Sequence, residues 1–454
     1  MECKSKCWPG RAGPAKKRER QKKERADAAH PTLTPFFLSL SALPAPTDVC
    51  IIGAVRTPIG AFQGSLASLP APTLGAAAIR AALASAAAPG SASLDPAAVD
   101  EVFMGHVLPA GCGQAPTRQA ALGAGLPPTV ACTGVNKVCA SGMKAAMLGA
   151  ATIQTGSNDV VVAGGMESMS RVPHYLGGGA RSGALRLGNA ALEDGLLGDG
   201  LTCPHSGGDH MGSLADAVAE AAGLSRAAQD AWALESHARA GSARAAAARA
   251  GGEVTPVSVP GWKGAPPVTV VDDDARARLD TARVPSLRPA FTADGTITAA
   301  NASPLSDGAA ALVLASSSAA AALGCPVLGH ICAYADAALP PALFPRAPAA
   351  AAKRALAKAG LAPADVELWE VNEAFAAVPL LFAEELGVDA AAINVHGGAV
   401  ALGHPLGASG AGVLVRLVHA MAARGASIGC AAICNGGGGA SAVVVRRSPR
   451  ADEG

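Results

Sequence analysis

The sequence has few aromatic residues, almost no net charge and no long apolar run. Phe, Trp and Tyr make up 3% of the 454 residues, so small and aliphatic side chains must build the core. Thirty-six basic and 35 acidic side chains leave a net charge of +1, which provides no global field for holding nucleic acid or an anionic membrane. Gly, Pro, Ser or a charged residue interrupts every apolar stretch before the roughly 20 residues that a bilayer span requires. We expect a protein that binds neither nucleic acid nor membrane and holds any anionic ligand through local contacts.

The eleven cysteines include no CxxC pair. An odd number of cysteines scattered along a long chain argues against a secreted disulfide scaffold and against a zinc site. A reducing compartment fits this usage, so we expect an intracellular protein that is not secreted. Its thiols are then available for catalysis.

The two ends of the chain differ in composition from the rest. Ten Lys or Arg residues precede Asp27, and we predict that residues 1–47 form a disordered extension. The extension is either a targeting signal or a solvated tail, and its acidic residues depart from the acidic-poor pattern of a mitochondrial presequence. Residues 448–454 form a short polar tail without a peroxisomal Ser-Lys-Leu ending.

Strand signals alternate with Ala-rich helical segments through the rest of the chain. Apolar runs at Val49–Ile52 and Asp159–Ala163 are typical of buried strands, and Gly164-Gly165 would end the second of them. A helix is predicted at Thr73–Ala87. Ile428–Ile433 and Ala442–Val445 resemble paired strands. This alternation predicts an α/β architecture.

The order of these signals predicts two similar halves and an insertion. Ala140-Ser141-Gly142 and Ala408-Ser409-Gly410 each open an Ala-rich helix that leads to a strand and a glycine cluster. Between them, a region richer in Gly, His and charge carries helical patterns at Leu214–Ala222 and Arg226–Ala250. We predict a first half at 48–165, completed by about 286–317, an inserted loop domain at 166–285, and a second half at 318–447.

Cys139 lies in NKVCASGMKAA, at the predicted start of a helix. A thiol at a helix N-terminus feels the positive end of the macrodipole, which favours the thiolate, and the same N–H groups can hold an oxyanion. An isolated cysteine is more often a small buried hydrophobe. The neighbouring motifs favour the catalytic interpretation.

His404 lies in NVHGGAVALGHPLGASG, on a Gly- and Pro-rich loop directly before a helix. Such a run of glycines indicates tight turns or close approach of the backbone to a ligand. His404 can serve as a base for the Cys139 thiol. His396 in the same loop could compete, although it fits a structural role better.

Cys434 ends a predicted strand in ICNGGGGASA, before four consecutive glycines. A simple hairpin rarely needs four glycines. Without side chains, Gly436–Gly439 can instead direct their backbone N–H groups at a developing negative charge. Cys434 would then lie beside them as an acid or base. A flexible turn with an incidental thiol is the alternative. In WEVNEAFAA, Asn372 follows a strand signal, where it can orient a water or donate to a carbonyl oxygen, and it can at the same time cap a helix starting at Glu373.

Together these four motifs resemble the thiolase family, over about residues 48–447. The resemblance implies the thiolase fold, two similar halves that each contain a mixed five-stranded sheet with helices on both sides. It also implies that Cys139 accepts an acetyl group from acetyl-CoA while His404 deprotonates the thiol. Cys434 then removes a proton from a second acetyl-CoA to give acetoacetyl-CoA. The enolate oxygen would be held by His404 and a water on Asn372, and the tetrahedral oxyanion by the N–H groups of Cys139 and Gly436.

The resemblance further implies the substrate contacts. His210-Met211 resembles the pair that narrows the acyl pocket of the short-chain acetoacetyl-CoA enzymes, mitochondrial or plant-type. Ser303 and Arg276 correspond to coenzyme A contacts. No cofactor is required, because coenzyme A is part of the substrate. A potassium ion is implied near the carbonyls of Ala299, Ala300, Ala302 and Val400, but His237 stands where the family has a tyrosine, which leaves potassium activation open. The family suggests a homotetramer, a dimer of dimers, in the mitochondrial matrix or cytoplasm.

Three alternatives stay open at this point. A broader 3-ketoacyl-CoA thiolase of fatty-acid β-oxidation would use the same catalytic residues with a wider pocket. A decarboxylating ketoacyl synthase would rely on two histidines and would not need Cys434. A non-catalytic acyl-CoA-binding or lipid-transfer protein should lack a catalytic residue, and none of the four is missing here.

Overall fold

The computed structural model describes residues 48–447, except 178, 184–186, 251 and 276–278. The side chains of residues 243–250 and 262 are also outside the description. The extension predicted at 1–47 and the tail at 448–454 therefore lie outside the described residues, as does Arg276. The described residues all belong to one compact unit.

The described part of the chain alternates between strands and helices. The strands are β1 (Val49–Arg56), β2 (Gly60–Ala61), β3 (Glu101–Gly105), β4 (Ala131–Val135), β5 (Val160–Ser168), β6 (His174–Leu176), β7 (Leu192–Asp194), β8 (Thr202–Cys203), β9 (Asp209–His210), β10 (Val257–Val259), β11 (Val268–Val270), β12 (Ser306–Ser316), β13 (Gly329–Ala338), β14 (Leu368–Val371), β15 (Ile428–Asn435) and β16 (Gly439–Arg447). The α-helices are α1 (Ala71–Ser85), α2 (Pro116–Ala124), α3 (Ser141–Gln154), α4 (Met211–Ala221), α5 (Arg226–Ala250), α6 (Ser317–Leu323), α7 (Ala347–Ala359), α8 (Ala377–Leu386), α9 (Ala399–Leu402) and α10 (Leu406–Arg424).

The first half is built on a mixed sheet in the order β4-β3-β5-β12-β1. Strand β3 runs parallel to both β4 and β5, whereas β12 runs antiparallel to β5 and β1. Strands β1, β5 and β12 are buried along their whole length, as expected for strands covered on both faces.

The second half repeats this arrangement in the order β14-β15-β16-β13, with β14 and β15 parallel and the other pairs antiparallel. The position that β4 holds in the first half is taken here by a single parallel bridge between Trp369 and Ile393. Antiparallel pairing of β1 with β13 joins the two halves into one sheet. The predicted α/β class with two similar halves is confirmed.

Helices α3 and α10 pack against each other through glycines at the centre of the molecule. A Cβ on Gly142 would lie 2.7 Å from the Ala411 nitrogen, and one on Gly410 would lie 2.4 Å from the Met143 nitrogen. Among the described residues, α10 is the one helix long and apolar enough to cross a membrane, but 83% of its apolar window is buried inside the protein. It is a core helix of this fold.

The described residues between β5 and β12 contain the two helices predicted for the insertion, now α4 and α5, and three small hairpins. Helix α5 is fixed to the second half by the buried carboxylate of Glu373. That carboxylate accepts hydrogen bonds from Trp232 Nε1 at 2.9 Å, Ser236 Oγ at 2.8 Å, Asn394 Nδ2 at 2.8 Å and the Val400 nitrogen at 3.0 Å. This network places the insertion beside the loops that follow β14. The domain boundaries remain predictions.

One strand runs further than expected. We predicted that Gly164-Gly165 would end β5, yet the strand continues to Ser168. A Cβ on Gly164 would lie 2.2 Å from the Ala310 oxygen, and one on Gly165 would lie 2.0 Å from the Gly407 oxygen. The glycines therefore serve close packing against β12 and α10, and the prediction of a strand end was wrong.

Candidate active site

A cavity of about 460 Å³ opens where the two halves and the insertion meet. Its lining contains three of the four predicted catalytic residues together with the predicted backbone donor Gly436. Most of the remaining lining is apolar. The predicted site residues on its wall are Cys139, His210, Met211, Ala299, Ala302, Ser303, His404, Cys434 and Gly436.

The nucleophile candidate sits on a tight turn between β4 and α3. Val138 adopts a left-handed backbone conformation with φ of 47°, which is strained for a β-branched residue. Ser141 at the start of α3 holds the turn, because its Oγ accepts a hydrogen bond from the Lys137 nitrogen at 2.8 Å. Cys139 is thereby placed two residues before the first residue of α3, partly buried against the core.

The environment of the Cys139 thiol differs in part from the sequence-based expectation. Burial is the largest influence and raises its pKa to about 11, and the charge of Glu167 acts in the same direction. Hydrogen bonds from the backbone N–H groups of Gly436 and Cys139 lower the pKa but do not outweigh burial. The backbone N–H groups thus favour the thiolate as expected, but desolvation of the charged sulfur costs more, so the free thiol stays protonated. Cys139 therefore needs a base, and the two N–H groups predicted for an oxyanion are directed at its sulfur.

His404 has the geometry of that base. Its Nδ1 lies 2.6 Å from Ser409 Oγ, and Ser409 Oγ donates to the Pro405 oxygen at 2.9 Å. The Ser409 hydroxyl proton points to Pro405 and the Asn372 contact with Nδ1 is long at 3.5 Å, so the short Nδ1–Oγ contact is best satisfied when Nδ1 carries the ring proton and donates to Ser409. Nε2 is left as the lone-pair nitrogen, with no hydrogen-bond partner among the described residues. Burial, with a smaller contribution from Arg416, lowers the pKa of His404 to about 4, so the ring is neutral at pH 7.

Asn372 contacts the His404 ring and has no direct contact with the cavity. It follows β14, where its backbone nitrogen donates to the Ala432 oxygen at 3.0 Å, and its Nδ2 lies 3.5 Å from His404 Nδ1. The helix-capping interpretation was wrong, because α8 begins at Ala377. Asn372 contacts the back of the imidazole and does not itself line the cavity.

Cys434 enters the cavity from the end of β15, next to the glycine turn. Burial, followed by the nearby Cys139 sulfur, raises its pKa far above the ordinary value. Gly437 and Gly438 have φ of 80° and 85°, and a Cβ on Gly438 would lie 2.2 Å from the Leu339 oxygen. Glycine is thus required by the backbone at 437 and 438, and the turn directs the Gly436 N–H at the Cys139 sulfur.

One side of the cavity is aromatic, although aromatic residues are scarce in this chain. The ring of His210 stacks on Phe291 at 4.7 Å, Phe291 meets Phe375 edge-on at 5.9 Å, and Phe344 meets Phe375 at 6.4 Å. His210 Nδ1 accepts a hydrogen bond from the Gly212 nitrogen at 3.0 Å, so in the neutral ring the other nitrogen carries the proton. Met211 lies 3.9 Å from the position that a Cβ on Gly436 would take. These contacts narrow the space around the sulfurs.

Of the remaining predicted residues, some line the cavity and others do not. Ser303 lines the cavity, and its Oγ donates to the Ala374 oxygen at 2.9 Å. Ala300 and Val400 are buried but do not line the cavity. His396 is likewise absent from the lining, which fits the structural role expected for it.

Sequence reasoning missed several residues that organise the site. Ser409 fixes the ring of His404. Phe291 and Phe344 form part of the aromatic side of the cavity. The charge of Glu167, which lies in β5, raises the pKa of Cys139. Of these residues, only Ser409 could have been found from the sequence. It lies five residues after His404 in the first turns of the predicted helix, which is close enough to contact the His404 ring. The phenylalanines and Glu167 reach the site only through the tertiary fold.

Comparisons with known proteins agree with this geometry. Residues 49–318 match the thiolase N-terminal domain and residues 325–447 match the thiolase C-terminal domain. Acetyl-CoA acetyltransferase 2 of Arabidopsis thaliana is 51% identical over 401 residues, which cover 88% of this chain and 97% of that protein. The mitochondrial acetyl-CoA acetyltransferase of Mus musculus is 48% identical over 410 residues, 90% of this chain and 93% of that protein.

A solved structure shows the same fold. The crystal structure of Acat5 thiolase from Ascaris suum in complex with coenzyme A superimposes with a TM-score of 0.81 at 42% sequence identity, covering 88% of this chain and all of that one. Two domain matches that together span most of the chain, relatives near 50% identity and a shared fold agree with the two sulfurs and the imidazole found around one cavity. The chain belongs to the thiolase family and is an acyltransferase.

Proposed function

We propose that this protein is an acetyl-CoA C-acetyltransferase, which condenses two acetyl-CoA molecules reversibly to acetoacetyl-CoA and coenzyme A. The observation that carries the proposal is that Cys139, His404 and Cys434 line one cavity, although the chain separates them widely. The relatives named as acetyl-CoA acetyltransferases support the same substrate. Acetyl-CoA, acetoacetyl-CoA and coenzyme A are then the ligands, and no further cofactor takes part in the steps.

In the first half-reaction, His404 Nε2 takes the proton of the Cys139 thiol as the sulfur attacks the thioester carbonyl. The oxyanion that forms is held by the backbone N–H groups of Cys139 and Gly436. The bond from the acyl carbon to the coenzyme A sulfur then breaks, and the leaving thiolate takes the proton from His404. An acetyl group is left on Cys139. The neutral state of His404 and the raised pKa of Cys139 suit this transfer, because the thiol loses its proton only as the attack proceeds.

In the second half-reaction, the now neutral His404 first takes the proton of the Cys434 thiol, and the resulting Cys434 thiolate removes a proton from the methyl carbon of the next acetyl-CoA. A thiolate whose pKa is raised by burial is a strong base, which the weakly acidic carbon requires. The carbanion attacks the acetyl group, the bond to Cys139 breaks, and the released Cys139 sulfur takes the proton held on His404 Nε2, while Cys434 keeps the proton from the carbon, so all three groups return to their starting state. We propose that His404, with a water held by Asn372, stabilises the enolate oxygen. The contact of Asn372 with the His404 ring supports their acting together.

We propose that the substrate is short. Met211 and the rings of His210 and Phe291 occupy the space beside the sulfurs, which leaves little room for a long acyl chain. Ser303 on the cavity wall is placed to contact coenzyme A, and we extend the same role to Arg276 on the family resemblance alone.

The experiment compares thiolysis of acetoacetyl-CoA with thiolysis of a long-chain 3-ketoacyl-CoA by the purified protein. We expect kcat/KM to be higher for acetoacetyl-CoA. Met211→Ala should raise the relative activity on the longer substrate, whereas the volume-conserving Met211→Leu should leave the ratio nearly unchanged. Better turnover of the long chain by the wild type would replace this proposal with a broad-range thiolase of β-oxidation.

We propose that a potassium ion stabilises the loop at Ala299–Ala302. Backbone carbonyls are hard oxygen ligands that suit such a cation, and the loop is drawn to the second half where the Ala376 nitrogen donates to the Asn301 oxygen at 2.8 Å. The carbonyls of Ala299, Ala300, Ala302 and Val400 would hold the ion, which would supply a fixed positive charge beside coenzyme A. His237 replaces the tyrosine ligand of the family. A higher unfolding temperature in potassium than in sodium chloride supports the ion site, and equal temperatures would contradict it.

We propose a homotetramer formed from two dimers. Strand β4 lies at the end of the sheet, pairs with β3 alone among the described strands, and is largely exposed. The β6–β7 hairpin presents Leu176 and Leu192, which are 47% and 65% exposed. An open sheet edge and an apolar hairpin are two different surfaces, as a dimer of dimers requires.

We propose that the protein acts inside the cell. Its relatives include a mitochondrial enzyme of Mus musculus and a cytosolic enzyme of Gibberella zeae. The mitochondrial matrix and the cytoplasm are therefore the two compartments to test. Imaging of the full chain and of a chain lacking residues 1–47 would distinguish them, because a targeting role predicts relocation on truncation.

A further inference from the structure

The carboxylate of Glu167 lies behind the catalytic loops with no solvent exposure. Its Oε2 accepts hydrogen bonds from the Val107 nitrogen at 3.0 Å and the Gly407 nitrogen at 2.9 Å, and its Oε1 accepts one from the Leu108 nitrogen at 3.3 Å. His106 Nε2 lies 3.3 Å from the same Oε1. Three N–H donors and one imidazole nitrogen therefore surround this buried carboxyl group, which satisfies the hydrogen-bonding needs of a polar group without water.

This carboxylate joins the two halves at the loop that carries His404. Gly407 stands in the first turn of α10, three residues after His404, whereas the donors Val107 and Leu108 follow β3 in the first half. The residue preceding α10, Pro405, provides no side-chain cap. Glu167 therefore satisfies a free N–H at the positive end of this helix from across the molecule.

The contact is too close to be incidental. A Cβ on Gly407 would lie 2.8 Å from Glu167 Oε2 and 2.9 Å from the His106 Cα. The loop therefore rests directly on the two residues, and glycine at 407 permits it. A change in either side chain should move the loop that holds His404.

The charge of Glu167 also acts on the nucleophile Cys139. Its negative charge contributes to the raised pKa of Cys139. Burial opposes protonation of His106, but contacts with Cys112 and Glu167 raise its pKa to about 9. Its Nε2 lies within ion-pair distance of Glu167 Oε1, although neither ring nitrogen meets hydrogen-bond geometry with a described residue. The other titratable groups that line the cavity with Cys139 are His210, His404 and Cys434.

We propose that Glu167 and His106 form a positioning pair for the transfer reaction. The carboxylate fixes the His404 loop to the first half, and a proton on His106, whose Nε2 lies 3.3 Å from Glu167 Oε1, offsets part of the negative charge that acts on Cys139. Neither side chain lines the cavity, so they act through His404 and Cys139. The inference rests on the proposed function for its kinetic consequence, whereas its electrostatic consequence can be measured without turnover.

The test measures the alkylation rate of Cys139 by iodoacetamide against pH, read by mass spectrometry of the peptide that contains it. His106→Gln leaves the carboxylate unbalanced, so the profile should move to higher pH and the rate at neutral pH should fall several-fold. Glu167→Gln together with His106→Gln removes both charges, and the profile should return toward that of the wild type. A purely structural role predicts the opposite, because a second substitution in the same contact adds damage.

A kinetic measurement keeps the proposal testable if His106→Gln does not fold. Glu167→Gln retains the shape and one acceptor oxygen but loosens the loop, so we expect kcat to fall roughly 10- to 100-fold with KM changed little. Glu253→Gln is the matched control, since Glu253 is a buried carboxylate paired with Arg56 at 2.8 Å and absent from the cavity lining.

The control should lower stability while leaving the alkylation profile of Cys139 unchanged. The proposal is overturned if Glu167→Gln keeps full kcat, or if the double variant moves the profile further from the wild type than His106→Gln alone. If the wild type lacked the proposed activity, the acetyltransferase assignment would be contradicted. The alkylation profile does not depend on turnover and would still test the positioning pair, so the two failures can be told apart.

Discussion

At the residue scale, the site keeps its nucleophile protonated and its base neutral until substrate arrives. The pKa of Cys139 is raised to about 11 and that of His404 is lowered to about 4, in both cases mainly by burial. A proton passing from the thiol to the imidazole therefore moves uphill in the free enzyme. The oxyanion donors at Cys139 and Gly436 make the transfer favourable only when a carbonyl is under attack.

This arrangement depends on the orientation of His404, which Ser409 fixes. Ser409→Ala removes the acceptor for Nδ1–H, so the ring can adopt the other tautomer and lose the free lone pair at Nε2. We expect acetylation of Cys139 to slow by about 10- to 100-fold, within the usual range for a weakened general base. Ser409→Thr keeps the hydroxyl and should retain most of the rate, measured by rapid quench with acetyl-CoA. An unchanged rate in Ser409→Ala would show that the hydroxyl does not set the tautomer.

The sequence located the reacting groups at this scale but not their supports. Cys139, His404 and Cys434 are each marked by a local motif of glycines at a turn or strand end, because the backbone must bend there to present a side chain. Glu167 lies near the end of β5, His106 follows β3, and both meet α10 only in the folded molecule. No local pattern encodes such a contact, so they could be found only from the structure.

At the element scale, glycines decide how closely the two central helices approach. Gly410 and Gly412 both lie on α10, but a Cβ on Gly410 would meet the Met143 nitrogen at 2.4 Å, whereas one on Gly412 would have Arg416 Nη1 as its nearest neighbour at 3.9 Å. Gly410→Ala should lower the free energy of unfolding by about 1–3 kcal/mol through overpacking.

Gly412→Ala is the matched control on the same helix. It adds a methyl group without a clash and improves helix propensity, so the free energy of unfolding should stay equal or rise by up to about 1 kcal/mol. Urea unfolding of both variants measures the difference. Equal destabilisation by the two substitutions would mean that the helices do not pack through Gly410 as described.

Helices and strands were predicted correctly where a long run of residues shared one hydrophobic pattern. A strand end was predicted wrongly where glycine could mark either a turn or a close packing contact. The helix predicted at Arg226–Ala250 and the paired strands near the C-terminal end are confirmed, because many residues agreed on one period. The helix expected from Glu373 begins instead at Ala377, and Glu373 is used to hold α5. At Gly164-Gly165, glycine marks a close contact and not a turn, which only the neighbouring β12 and α10 reveal.

At the scale of the whole molecule, the two halves form one cavity but leave two surfaces open. If the β6–β7 hairpin joins dimers into a tetramer, the combined change Leu176→Asp and Leu192→Asp should yield dimers in light scattering, because charge is introduced into an apolar contact. Val268→Asp is the control, since Val268 is 62% exposed on a different hairpin, and it should leave the tetramer intact. A wild-type monomer, or a double variant that stays tetrameric, would contradict this role.

The central claim is that one sulfur carries the acetyl group while the other moves a proton, and a trapping measurement tests it most directly. Wild-type, Cys139→Ala and Cys434→Ala proteins are mixed with labelled acetyl-CoA, and the label on Cys139 and the acetoacetyl-CoA formed are both measured. We predict that Cys434→Ala accumulates the acetyl thioester on Cys139 without forming acetoacetyl-CoA, and that Cys139→Ala does neither. Full synthase activity in Cys434→Ala, or a label that persists in Cys139→Ala, would contradict the account.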